Sequence, residues 1–274
     1  MRVLVTGAAG SIGSEIVRQL APKHRIYALD INEVGVYDLV EELKLKGYSV
    51  DGRVGDIRDQ RTVEDVFSDF KPESVYHAAA YKVVPAMELV PLEAIQTNIM
   101  GTHNVLHASK RWKVKKFVFI STDKAISSKS VMGATKRVGE IMVKNSGKGY
   151  VAVRFANVMG SRGSVIPLWE NQIARGEPIT VTDERMERYM MTIPQAVNLV
   201  IEAGRQGKGG EIFVLDMGKP VKIMELAKTI VERLGKDIPI KTIGIRPGET
   251  LTESLMTAEE EGVAVKKGNF YVIV

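Results

Sequence analysis

Between an apolar run, Arg2-Val3-Leu4-Val5-Thr6, and an amphipathic stretch lies the turn Thr6-Gly7-Ala8-Ala9-Gly10-Ser11-Ile12-Gly13, and no other feature constrains the fold of this chain as much. Glycines at this spacing serve a tight turn, a close approach of backbone to a pyrophosphate, and close packing of helix on strand. The following helix points its unpaired N–H groups and positive dipole end at the phosphates, so an anion is held without a basic side chain. Gly7, Ala9, Gly10, Ser11, Ile12 and Gly13 are therefore candidate cofactor residues. An ordinary glycine-rich strand-to-helix turn has the same spacing, and other positions must decide between the two.

Asp30 ends the second apolar run, 23 residues after Gly7. A carboxylate there accepts hydrogen bonds from adenosine ribose hydroxyls and repels a 2′-phosphate; a helix-capping aspartate is the bland alternative. The next residues, Ile31-Asn32-Glu33, contain no arginine, so NAD is expected rather than NADP. Gly55-Asp56-Ile57 and His77-Ala78-Ala79-Ala80 follow the third and fourth runs, at the carboxyl edge where ligands bind in such sheets. Asp56, Ile57, Ala78, Ala79 and Ala80 join the cofactor set on that ground.

Up to Phe155, short β-branched runs alternate with stretches of helical period, which predicts strands at Arg2–Thr6, Arg25–Asp30, 49–54, 74–78, 116–121 and Tyr150–Phe155. The expected fold is α/β, a Rossmann-type doubly wound parallel sheet. Beyond Gly160 the prolines at 167, 178, 194, 220, 239 and 247 break the rhythm. This places a dinucleotide domain at 1–160 and a smaller substrate lobe at 161–274, from which some elements can return to the first domain. The run Glu259-Glu260-Glu261 reads as solvated surface.

With no cysteine, disulfides and thiolate metal sites are excluded, and four histidines without ligand spacing predict no metal centre. The net charge of +5 is spread among acids, with no basic stretch interleaved with aromatics, so an anionic small substrate is expected rather than nucleic acid. The chain opens directly on a strand, no apolar run approaches the ~20 residues a bilayer requires, and no cysteine can carry a lipid. A cytoplasmic protein without direct membrane insertion is expected.

The glycine turn, His77-Ala78-Ala79-Ala80-Tyr81-Lys82, Ser121-Thr122-Asp123-Lys124-Ala125 and Met132-Gly133-Ala134-Thr135-Lys136-Arg137 together resemble the extended short-chain dehydrogenases/reductases. Gly160-Ser161-Arg162-Gly163-Ser164-Val165-Ile166-Pro167, Met190-Met191-Thr192-Ile193-Pro194 and Arg246-Pro247-Gly248-Glu249 make the chain similar to the CapD/WbpM group of polysaccharide-biosynthesis dehydratases. The likeness extends over nearly the whole chain, and the ordered set is specific where no single motif is. It implies an inverting UDP-N-acetylglucosamine 4,6-dehydratase, in which NAD takes hydride from C4, water leaves across C5 and C6, and the hydride returns to C6. The C4 ketone acidifies the C5 proton.

The resemblance implies that Asp123 protonates the departing C6 oxygen, that Lys124 handles C5, that Thr122 orients the hydroxyl and that Lys136 hydrogen-bonds the nicotinamide ribose. An unperturbed lysine, with a pKa of ~10.4, is a poor base. Burial beside the cationic nicotinamide and a second lysine is expected to depress Lys124 and leave it neutral. A salt-linked turn is the structural alternative for Asp123 and Lys124. The sequence departs from the YxxxK pattern at Met132, whose thioether cannot move the C4 hydroxyl proton, which leaves that task to Asp123 or Lys124.

For the substrate, the resemblance implies Arg188 and Arg246 as grips on a UDP diphosphate, with Glu249 on the ribose and Asn157 at a phosphate. Val165 and Thr180 would line the uridine pocket, Lys82 would touch sugar, diphosphate or cofactor, and Asn98 would stand beside the cofactor. Surface salt bridges are the alternative for the arginines. Tyr81, Tyr189 and Trp169 read as packing residues. Homo-oligomer formation through helices at about 91–112 and 130–145 is also implied. The chain finishes at Val274 soon after Glu249, where the resembled enzymes carry more of the sugar-binding lobe, so substrate closure is expected to differ. A 4-epimerase needs the same C4 oxidation but no acid–base pair for C6, which Asp123 and Lys124 argue against. An NAD-binding regulatory protein without catalysis is favoured by Met132 and disfavoured by the substrate arginines.

Overall fold

The computed structural model describes residues 1–127, 129–235 and 237–274. Strand β1 (Arg2–Thr6) leads through the glycine turn into helix α1 (Ser11–Leu20), and β2 (Arg25–Asp30), α2 (Glu33–Leu45), β3 (Val50–Val54) and α3 (Gln60–Phe70) repeat the alternation. After β4 (Ser74–His77) come two short helices, α4 (Val84–Leu89) and α5 (Pro91–Ala94), and a π-helical segment, Ile95–Gly101, that runs into α6 (Thr102–Arg111). Strand β5 (Lys116–Thr122), α7 (Lys124–Ser127), α8 (Val131–Lys144) and β6 (Tyr150–Phe155) complete this half. Helix α1 buries Ile16, Val17 and Leu20, the spacing of one apolar face. Asn32 caps α2 by accepting from the Gly35 N–H, and Asp59 caps α3 by accepting from the Arg61 N–H.

The second half contains β7 (Asn157–Met159), α9 (Val165–Ala174), β8 (Ile179–Val181), β9 (Glu187–Arg188), β10 (Met190–Thr192) and α10 (Ile193–Gln206). It continues with β11 (Ile212–Leu215), β12 (Val221–Lys222), α11 (Ile223–Leu234), β13 (Ile240–Thr242), α12 (Ala258–Val263), β14 (Val265–Lys267) and β15 (Phe270–Ile273). One nine-stranded sheet, in the order β14-β15-β11-β6-β5-β4-β1-β2-β3, organises the molecule. Its strands from β3 to β11 pair in parallel, and β15 and β14 add antiparallel pairings. The order reverses between β1 and β4, so the crevice at their carboxyl ends is the switch point where a doubly wound sheet takes its ligand. The glycine turn lies there.

The six predicted strands are present, with β5 running one residue further because Thr122 still pairs with Phe155. Beyond Gly160, elements return to the first domain, as the expectation allowed. The chain returns to the sheet through α10, which packs on α1 and β5, and through β11, β15 and β14. The physical reason is composition: Ile212-Phe213-Val214-Leu215 is buried along its whole length and needs cover on both faces. What remains outside is a lobe of three two-stranded ribbons, β7/β10, β9/β12 and β8/β13, with α9 and α11. Trp169, Ile179, Val181, Met186, Ile223 and Ala227 form its core. Glu260 needs correction. Glu259 and Glu261 are exposed, but Glu260 is buried and pairs with Arg154.

Candidate active site

Gly7 sits at φ +68°, and a Cβ there would meet the Ala79 nitrogen at 2.5 Å. A Cβ on Gly13 would lie 2.0 Å from the Gly7 carbonyl oxygen. One glycine makes the turn and the other lets α1 press against it. Helix α1 begins after Gly10 with no side chain capping its first N–H groups, which leaves them for an anion. Asp30 is not the cap of α2, a role taken by Asn32. Instead its Oδ2 accepts from the Ala9 N–H at 2.9 Å and its Oδ1 from the Asn32 N–H at 2.9 Å. The carboxylate thus braces the glycine turn and retains lone pairs for ribose hydroxyls. Turn, uncapped helix start and acidic strand end together fit a dinucleotide.

Three expected cofactor contacts are corrected or narrowed. Ile57 turns its side chain into the core, directly beneath Gly101, so only its backbone remains for a ligand. Asn98 is fully buried, accepting from the Tyr81 N–H at 2.8 Å and donating to the Tyr81 carbonyl and Thr135 Oγ1 at 3.0 Å each. It fastens the loop after β4 to α8 and positions cavity residues without facing the cavity. Ala78 and Ala80 line the cavity, whereas Ala79 packs against the core and stays out of the lining. Asp56 lies at the same sheet edge and is paired with Arg58.

A cavity of about 500 Å³ runs from the glycine turn along the loop after β4, past the end of β5, to the small lobe. Gly7, Gly10, Ser11, Ile12, Gly13, Lys82, Thr122, Asp123, Lys124, Met132, Lys136, Asn157, Val165, Thr180, Arg188, Arg246 and Glu249 all line it. Met132 is buried beside Val84, Met87 and Ala94, an apolar plug at the position the YxxxK pattern gives to tyrosine.

The chemistry concentrates at the end of β5. Thr122 Oγ1 donates to Asp123 Oδ1 at 2.8 Å, so its hydroxyl orients Asp123. Lys124 Nζ lies 3.1 Å from Asp123 Oδ1 and 3.0 Å from Glu253, a residue that sequence reasoning missed. Glu253 also pairs with Arg188 at 3.3 Å and accepts from Asn157 Nδ2 at 3.4 Å. The protein's own groups do not make Lys124 neutral. Burial pulls it down, but Asp123 and Glu253 outweigh burial and hold it above its ordinary range, so it is a cation at rest. Burial pushes Asp123 up, yet Lys124 and the surrounding hydrogen bonds keep it below the usual carboxylate range. Burial pushes Glu253 up to about 7, Lys124 opposing and Asp123 assisting. The lysine that becomes neutral is Lys136, which burial lowers to about 7 against the pull of Glu140.

The substrate arginines behave differently from each other. Arg188 donates to the carbonyls of Glu187, Leu251 and Thr250, so its guanidinium chiefly fixes the 250–253 segment and is largely unavailable as a diphosphate grip. Arg246 has a half-exposed side chain and pairs with Glu249, which leaves donors free toward the cavity. Lys82 Nζ donates to Ser161 Oγ at 3.2 Å, and burial, then Lys124, lowers it. Trp169 is a core residue whose Nε1 donates to the Thr180 carbonyl at 2.7 Å, fixing the cavity wall.

A family model described as polysaccharide biosynthesis protein matches residues 3–274. Capsular polysaccharide biosynthesis protein CapD of Staphylococcus aureus is 51% identical over 271 residues, 94% of this chain and 45% of CapD, so the chain spans less than half of that relative's length. Among solved structures, Pen from Bacillus thuringiensis superposes with a TM-score of 0.93 at 38% identity, covering 99% of this chain and 86% of Pen. The UDP-glucose 4-epimerase of Thermus thermophilus, solved with NAD, gives a TM-score of 0.80 at 28% identity, covering 94% of this chain and 90% of the epimerase.

Proposed function

The chain belongs to the polysaccharide biosynthesis protein family, and from that premise we propose that it is an NAD-dependent nucleotide-sugar 4,6-dehydratase. It converts a UDP-N-acetylhexosamine, UDP-N-acetylglucosamine in the first instance, to the UDP-4-keto-6-deoxy sugar with inversion at C5. One observation carries this: Asp123 and Lys124 line the same cavity as the glycine turn and the small-lobe residues Thr180 and Arg246.

Bound NAD supplies the acceptor for the C4 hydrogen and the donor that returns it at C6. Asp30 favours NAD over NADP, because its carboxylate stands where a 2′-phosphate would be repelled. Lys136, which loses its proton around pH 7, accepts the C4 hydroxyl proton, the task for which Met132 is unfit. Asp123 protonates the C6 oxygen as it leaves, and Lys124 serves C5. Arg246 holds the diphosphate, and Val165 and Thr180 border the base. Leu92, Ile95, Met100, Val138 and Ile141 are exposed on α5, the π-helical segment and α8, elements that pack on one another, which supports a homo-oligomer through that face.

Incubation with NAD and UDP-N-acetylglucosamine tests the reaction. A 4-keto-6-deoxy product is expected. UDP-N-acetylgalactosamine would mark a 4-epimerase, the alternative that the likeness to the Thermus enzyme favours. Absence of turnover with NAD bound would mark a regulatory protein, the alternative that Met132 favours.

A further inference from the structure

A lysine that is a cation at rest cannot accept the C5 proton, and an ionised aspartate cannot give one to the C6 oxygen. The cluster resolves both difficulties through a third group. Among the described residues, Asp123 Oδ2 is buried with no hydrogen-bond partner, while Oδ1 takes Thr122 and Lys124. A buried carboxylate oxygen left in this state is costly. Asp123 and Glu253 both meet Lys124 Nζ, at 3.1 and 3.0 Å, which sets the two carboxyls in contact with each other. Two ionised carboxylates can only accept, so that contact becomes a bond only when one of them carries a proton. The charged and polar groups facing Glu253 are Asp123 and Lys124 at the end of β5, Asn157 of β7 and Arg188 of β9.

We propose that Glu253 is the proton-holding partner of Asp123, and that the carboxyl pair takes the Lys124 proton before elimination, creating the acid for C6 and the base for C5 in one transfer. The inference rests on the dehydratase reading and deepens it. The transfer uses the existing Lys124–Asp123 contact of 3.1 Å. A lone aspartate beside an ammonium has little tendency to take its proton, whereas two carboxylates crowded together gain by sharing one. The protons then balance. Neutral Lys124 takes the C5 proton, the C5–H electron pair becomes the C5–C6 double bond, the C6–O bond breaks, and the carboxyl pair delivers its proton to the departing oxygen, which leaves as water. Lys124 ends as a cation and both carboxylates as anions, as they began. Glu253 acts through Asp123 and is a positioning residue.

Two measurements test this. In the protein without substrate, the pair should be two anions above neutrality and take up one proton below it, so infrared spectroscopy should show a protonated-carboxyl band appear on acidification through neutrality, and that band should be missing from Glu253→Gln. With NAD and UDP-N-acetylglucosamine, Glu253→Gln should still reduce bound NAD on substrate addition, while formation of 4-keto-6-deoxy product falls by about a hundredfold. Glu253→Asp should recover part of that loss. If wild-type protein forms the product and Glu253→Gln forms it equally fast, the proton-holding role is wrong and the dehydratase reading stands. The role is also wrong if Glu253→Gln loses NAD reduction in the same proportion as product, or if the infrared band survives the substitution. If wild-type protein releases no 4-keto-6-deoxy sugar, the dehydratase reading fails and this inference fails with it.

Discussion

The Lys136 ammonium lies 3.9 Å from the centroid of the Phe119 ring, with α8 supplying the lysine and β5 the ring. An aromatic face compensates a buried ammonium only in part, and burial brings Lys136 down to about 7. As a base it works when deprotonated, so the C4 oxidation step should speed up as pH rises through about 7. Reduction of bound NAD on mixing with substrate isolates this step from elimination. Lys136→Met should slow it by roughly a hundredfold or more and abolish the rise with pH. A rate of NAD reduction in wild-type protein that is flat across neutral pH would remove Lys136 from this role.

Gly13 tests the cofactor cradle. A Cβ at this position meets the Gly7 carbonyl oxygen at 2.0 Å and its carbon at 2.7 Å, both backbone atoms that cannot rotate away. Gly13→Ala should cost about 1–3 kcal/mol of stability and weaken NAD binding, because α1 must move off the turn that it completes. Gly262→Ala is the control: nothing lies within 4 Å of a Cβ there. Thermal unfolding and NAD titration of both variants check this, and equal behaviour would show that the close packing at Gly13 is dispensable.

The places where sequence reasoning succeeded and failed share a physical logic. Strand positions were legible because buried parallel strands are apolar runs of fixed length, and the carboxyl edge follows from strand direction alone. Asp123 and Lys124 were legible because they are adjacent in the chain and lie at that edge. The charge on Lys124 was not, since it depends on Glu253, which is 129 residues away and carries no local signal beyond following Glu249 by four positions. Ile57 and Asn98 failed for a related reason. A position at a strand end or in a helix locates the backbone, while the side chain's direction is settled by what packs there, Gly101 over Ile57 and Tyr81 against Asn98.

Behind the catalytic strand, Arg154 is fully buried between two carboxylates, 2.7 Å from Glu140 and 2.8 Å from Glu260. Arg154 also donates to the Leu255 carbonyl at 3.2 Å, so the network anchors the segment that carries Glu253. Glu260→Gln should destabilise the protein by roughly 3 kcal/mol at pH 7, because a buried guanidinium loses one of its countercharges. Burial pushes Glu260 up, but its bonds from Arg154 outweigh burial and hold it at about 2, well below an ordinary glutamate. A depressed folded-state value stabilises above the unfolded value and is lost as pH falls through the folded one. The gap between wild type and Glu260→Gln, read from urea unfolding, should therefore narrow as pH drops below about 4.5 toward 2. A gap independent of pH would show that the loss comes from packing.

Ile141 is exposed in the middle of α8, between buried Glu140 and the half-buried Met142, and Val138 is exposed one turn earlier. Leu89, Leu92 and Ile95 add exposed apolar area from α4, α5 and the π-helical segment, elements that pack on α8. Single exposed apolar residues need no explanation, but a contiguous set on adjoining helices is the mark of an interface. If two copies bury this face, Ile141→Glu places a charge against its own symmetry mate and must desolvate it. Light scattering should then give a smaller oligomer for Ile141→Glu than for wild type, with the monomer's unfolding transition preserved. A wild-type chain that is monomeric at micromolar concentration would leave this apolar face to another partner.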